Sequence, residues 1–332
     1  MNMEKWVSLS VKHNASDLHL CVGQVPVLRI NGVLYPQRQC EEIQSNTLIT
    51  WSEEILSDAQ KQQLHKHGHV DFVVTMPDKQ RLRGNLFYQQ SHLSLVLRLI
   101  ENKCPTLEQL YAPDIIQHLI LQEISGLILV TGATGSGKST TLSAMINALN
   151  SHVCKHIIML EDPIEFVHQS RNCLIQQRQM GKDVTDYQTA LKGALRQDPD
   201  VILLGELRDK EAIRLALTAA ETGHLVLSTL HTRGAIQAID RLVDVFCAEE
   251  KGWICSQLAG SLKAVISQQL LPAKEGDRVA IYEVLVINQA VSHLIREGKN
   301  HQIASLMQTG ANCGMQTYEQ SRQQRNSLGL LG

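Results

Sequence analysis

The chain has 332 residues, enough for two domains that each bury a core of ordinary size. A formal net charge of −2 offers no global basic field to nucleic acid or an anionic membrane, and 4% aromatic residues leave little for base stacking. No nucleic-acid partner is expected. No apolar run approaches the roughly 20 residues needed to span a bilayer, and residues 1–6 lack the layout of a signal peptide, so a cytoplasmic protein without a transmembrane segment is expected.

In chain order, residues 1–104 read as a compact α+β module. Short strands are expected at 18–20, 25–30 and 70–74, with Asn31-Gly32 as a turn. Helices are expected at 47–56 and 57–67, and a further hairpin at 82–83 and 85–88 followed by 93–100. His65, His67 and His69 alternate as metal ligands on a strand could, but read as an exposed polar cluster. Pro105 and Pro113 punctuate a linker at 105–113. Beyond it the pattern changes to strand 127–131, helix 138–149, strands 156–160 and 201–204, helix 210–221, strand 224–229 and helix 234–245. That alternation predicts a parallel-type α/β core with ligands at the carboxyl ends of its strands. After about 250 the chain reads as helices, interrupted at Leu271-Pro272 and by a short strand at 279–286. The eight cysteines form no C-x-x-C pair and read as reduced, buried apolar residues, so no zinc is expected.

Gly132, Ala133, Thr134, Gly135, Ser136, Gly137, Lys138 and Ser139 fit G-x-x-x-x-G-K-[ST], the phosphate-binding loop of nucleoside triphosphatases. Its glycines let the backbone turn N–H groups onto an oxyanion. Lys138 can reach the β- and γ-phosphates, and the Ser139 hydroxyl can ligate Mg²⁺. Thr140 continues into a helix whose positive N-terminal end also favours phosphate. ATP is the expected substrate. A second apolar strand, 201–204, leads to Glu206, where a carboxylate at a strand tip meets Mg²⁺ or its water shell. A third ends in Glu161, Asp162 and Glu165, which repel one another and suit a metal–water site with one glutamate activating water. His224 and His231 are candidates to contact phosphate.

Together these residues resemble the secretion and pilus ATPase superfamily, in particular the type IV pilus retraction (twitching motility) ATPases, over nearly the whole chain. The resemblance rests on the phosphate loop, an aspartate box at 161–168, a Walker B stretch at 198–206 with Leu207-Arg208-Asp209, and a histidine box from 218 to 232. An early 15–20 segment and a late 294–299 segment also look like signatures of the retraction type. It implies a RecA-like P-loop ATPase core, 114–332, with a smaller PAS-like N-terminal α+β domain. It further implies a homohexameric ring, peripheral at the inner membrane, that hydrolyses ATP with Mg²⁺ to power pilus or pseudopilus disassembly at an inner-membrane platform protein. Glu165 would activate water with Glu161 as the alternative, Glu206 and Ser139 would serve Mg²⁺, partly through water, and His231 would be catalytic. Arg83 and Arg98 match arginines that reach the triphosphate, where a guanidinium neutralises charge developing on the γ-phosphoryl. One departure is Ser292-His293, where the family usually carries Arg and Asn in a segment tied to retraction rather than hydrolysis. Two alternatives are an assembly or secretion ATPase, whose paired C-x-x-C motifs this chain lacks, and a nucleotide-binding paralogue without motor function.

Overall fold

A computed structural model describes residues 3–77, 79–100, 103–274 and 278–331. The chain divides into two compact units, Met1–Lys103 and Cys104–Gly332.

The first unit runs α1 (Met3–Lys12), β1 (Asp17–Cys21), β2 (Val27–Ile30), β3 (Val33–Pro36), α2 (Ser45–Ile55), α3 (Asp58–His67), β4 (His69–Thr75), β5 (Arg81–Gln89) and β6 (His92–Ile100). Its strands form one antiparallel sheet in the order β3-β2-β1-β6-β5-β4. Leu82 and Leu86 of β5 and Leu93, Leu95 and Leu97 of β6 share a core with Trp6 of α1 and Leu48 and Trp51 of α2. The capping box of Ser57 and Gln60 starts α3, and left-handed Gly68 ends it. His65 and His67 therefore stand on a helix and His69 on a strand, all three exposed.

The second unit runs α4 (Asp114–Gln122), β7 (Gly126–Thr131), α5 (Lys138–His152), β8 (His156–Glu161), β9 (Leu174–Gln179), α6 (Tyr187–Ala194), β10 (Val201–Leu204), α7 (Lys210–Glu221) and β11 (Leu225–Leu230). It continues through α8 (Ala235–Asp244), α9 (Ala248–Ser261), β12 (Leu262–Pro272), β13 (Arg278–Val286), α10 (Gln289–Arg296), α11 (Ile303–Thr309) and α12 (Tyr318–Ser327). One sheet in the order β13-β12-β7-β11-β10-β8-β9 carries the unit, parallel throughout except for β13. Every residue of β7, β10 and β11 is buried. Such continuous apolar runs are what a parallel sheet covered on both faces demands. Leu127 and Leu129 face one core with α7, α8 and α9, while Ile128 and Val130 face the other with α4 and α5. Among the described residues, no helix is long and apolar enough to cross a membrane.

Three expectations need correction. The stretch after 250 is helical as expected for more than half its length, but it also holds two long paired strands: β13 spans Arg278–Val286, and β12, where no strand was expected, lies directly against β7. The α9 helix, which keeps Gly260 inside its last turn, passes into β12 at Ser261–Leu262 without a loop, so the two read as one helix. Second, β9 and α6, like α1 and α4, occupy stretches where no element was expected. Third, the cysteines are not all buried: Cys154, Cys247 and Cys313 are exposed.

Candidate nucleotide-binding and hydrolysis site

The phosphate loop leaves the carboxyl end of β7 between two strands that shape it. Gly132 has φ +151°, and a Cβ there would sit 2.4 Å from Ser136 Oγ and 2.5 Å from the carbonyl oxygen of Gln268. Only glycine lets the loop start so close to β12. Gln268 is buried, and its Oε1 accepts a 2.6 Å hydrogen bond from Thr141 Oγ1 in the first turn of α5. One residue earlier on each strand, the Thr131 and Ser267 hydroxyls hydrogen-bond to each other. Thus β12 floors the loop from both ends.

Ala133, Thr134 and Gly135 form the exposed tip, while Ser136 is buried and Ser139 and Thr140 are half-buried at the start of α5. Lys138 is only 8% exposed and folds back, donating from Nζ to Gly132 O at 2.9 Å and Ala133 O at 3.0 Å. Burial lowers its pKa, and the nearby carboxylates of Glu206 and Glu165 oppose that shift. A partly dehydrated ammonium held by neutral carbonyls can exchange them for phosphate oxygens, which carry the charge it lacks.

The in-register pairing of β8, β10, β11 and β7 brings the other candidates to the same edge. Glu206 follows β10, and its Oε1 accepts from Arg208 Nε at 3.0 Å. Its Oε2 lies 3.6 Å from Nε2 of His231, which follows β11. The other ring nitrogen of His231 is 3.5 Å from both Lys138 Nζ and Thr134 Oγ1. His231 therefore bridges the loop lysine and the Walker B acid. Arg208 also approaches Asp162, at 3.8 Å. Glu161 ends β8, is buried, and accepts from Gln177 Nε2 at 3.0 Å. Glu165 is half-buried in the turn beyond it. The Tyr187 phenol packs among these groups; burial pushes its pKa up, reinforced by Asp162, Glu206 and Glu161.

The hydroxyl of Ser139 and the carboxylate of Glu206 are hard oxygen donors of the type Mg²⁺ takes, and a cation held mainly by substrate phosphates and water needs few protein ligands. Among the described residues, no group of three or more His, Cys, Asp or Glu is poised to hold a metal.

His224 does not belong here. It precedes β11, at the amino end of a strand whose carboxyl end carries His231, and its Nδ1 is 3.0 Å from Ala219 O at the end of α7. Arg83 and Arg98 lie in the first unit, opposite each other on β5 and β6 and both exposed. Arg98 donates from Nε to Oδ1 of buried Asp17 at 2.8 Å. Ser292 donates to Ala259 O at 2.6 Å, joining α10 to α9, while His293 is exposed. Sequence reasoning missed Gln177, Gln268, Tyr187 and Asp17 as supports; a strand assignment for 262–272 would have pointed to Gln268.

A fully buried strand, a loop wrapped on glycines, a helix opened by lysine and acids at neighbouring strand tips define a P-loop ATPase. The chain matches the family described as Type II/IV secretion system protein over residues 2–328. It is 44% identical over 335 residues to the type IV pilus retractation ATPase PilT of Pseudomonas aeruginosa, covering 100% of this chain and 96% of that one. It is 53% identical, with both chains covered in full, to the uncharacterized protein YggR of Escherichia coli K12. Among solved structures, the pilus retraction motor PilT with bound ADP superposes with a TM-score of 0.93 at 38% identity, covering 100% of this chain and 95% of that one. The chain belongs to the type II/IV secretion ATPase family, and within it to the type IV pilus retraction ATPases.

Proposed function

We propose that this protein works as a homohexameric ring motor that hydrolyses ATP to power disassembly of a pilus or pseudopilus, at an inner-membrane platform protein. The observation that carries this reading is the convergence of Lys138, His231, Glu206 and Glu161 on one sheet edge around the phosphate loop, in a chain similar end to end to retraction ATPases. In this reading residues 1–104 are the PAS-like domain, 105–113 the linker and 114–332 the RecA-like ATPase.

The loop N–H groups from Gly132 to Thr140 cradle the phosphates, and Lys138 leaves the Gly132 and Ala133 carbonyls to pair with the β- and γ-oxygens. Ser139 and Glu206 would hold Mg²⁺, which would supply charge neutralisation on those oxygens. Glu165, or Glu161 in its place, takes a proton from the attacking water. His231 reports on the γ-phosphate, since it touches both Lys138 and Glu206. Arg83 and Arg98 neutralise charge developing on the transferring phosphoryl group. The test is phosphate release from Mg-ATP by wild type and Lys138→Ala. The variant should lose nearly all turnover; a wild-type rate would overturn the site assignment.

A further inference from the structure

We propose that Gln177 is a positioning residue for hydrolysis, its one carboxamide holding Glu161 and the turn that carries Glu165. The residue stands on β9, the edge strand paired with β8, two places before the partner of Glu161. Its Nε2 donates to Glu161 Oε1 at 3.0 Å and to Phe166 O at 2.8 Å. Its Oε1 accepts the backbone N–H of His168 at 2.8 Å. The partners fix the amide orientation, because reversing it would set the NH₂ against an N–H and an oxygen against two acceptors.

The three bonds span the aspartate box from end to end. Glu161 is at its start, Phe166 and His168 at its close, and Glu165 lies between. Phe166 is buried, and the His168 ring buries an Nε2 with no partner, so the close of the turn is wedged into the protein. Burial pushes the His168 pKa down to about 4, which keeps the ring neutral at ordinary pH. A neutral amide suits this place. It orients Glu161 without cancelling its charge, whereas a lysine would neutralise the carboxylate and a carboxylate would repel it. Asparagine has the same chemistry but is one methylene short. The inference rests on the reading that Glu161 or Glu165 activates water.

The test measures kcat and the dissociation constant of a fluorescent ADP analogue for Gln177→Ala, Gln177→Glu, Glu161→Gln, Glu165→Gln and the neighbouring Gln176→Ala. Gln176 is exposed and bonds to His156 instead, so it controls for damage to the edge strand. Gln177→Ala should lower kcat about 10-fold or more, the worth of a hydrogen bond to a charged group, with nucleotide affinity and thermal midpoint nearly unchanged. Gln177→Glu should be poor at about pH 8 and recover towards about pH 6, as the new acid takes a proton and regains a donor. Glu161, which this side chain contacts, favours that protonation, while His168 stays neutral across the range. Wild-type kcat in Gln177→Ala, or equal losses of kcat, affinity and stability, would overturn the positioning role. Full turnover in both Glu161→Gln and Glu165→Gln would instead remove the carboxylate reading beneath it.

Discussion

Replacing Gly132 by alanine should damage the fold and the nucleotide site together, and the structure sets the scale. A backbone at φ +151° costs a residue with a Cβ about 1–3 kcal/mol. The new methyl would also overlap two atoms. Rotation of Ser136 relieves the 2.4 Å contact with its Oγ, but the 2.5 Å contact with Gln268 O can yield only if β12 or the loop moves. Overpacking of that kind costs about 1–3 kcal/mol more. In a unit of this size each kcal/mol lowers the midpoint by about 2–4 °C, so a fall on the order of 10 °C is expected. Gly135→Ala is the comparison, because its φ is +77° but nothing lies within 4 Å of the added Cβ. That variant should lose only a few degrees. Thermal unfolding of both, with and without excess Mg-ADP, makes the measurement. Ligand at about 100 times its dissociation constant should stabilise wild type by about 2.7 kcal/mol, and this gain should vanish in Gly132→Ala. Equal midpoints for the two variants, or a larger fall in Gly135→Ala, would refute the reasoning from the β12 contact.

Glu165→Gln should bind ATP yet turn over roughly 10²-fold more slowly in a phosphate-release assay. If turnover survives there and fails in Glu161→Gln, the base is Glu161. Arg83→Ala and Arg98→Ala should each lower turnover far more than they weaken nucleotide binding, since an arginine acting on the transition state contributes about 10³–10⁵ in rate. Undiminished turnover in both would exclude them. His168 should make stability pH-dependent. Its folded pKa, about 4, lies below the ordinary 6.5, so between these values only the unfolded chain gains a proton. Stability should therefore fall by up to about 3 kcal/mol as pH drops from 6.5 to 4, and denaturant midpoints of His168→Phe should lack that component.

The phosphate loop and the acids at the strand tips were legible because their chemistry fixes residue type, spacing and the strand–loop–helix setting at once. The floor of the site was not. Leu262–Pro272 follows a helix with no loop between them, and a strand buried through most of its length has no alternation to separate it from a buried helix. Gln268 was hidden with it. Gln177 sits in a polar edge strand, and a glutamine belongs to no motif until the fold sets three partners around its amide. The misplacement of His224 was avoidable, since a residue just before a parallel strand falls at the edge opposite the ligands.

The most direct test of a ring motor is specific ATPase activity measured against protein concentration, with particle mass followed in the same samples. Activity per chain should be negligible in dilute, monomeric samples. It should rise to a plateau together with the six-chain species. Full activity per chain in samples that contain only monomers would contradict the ring.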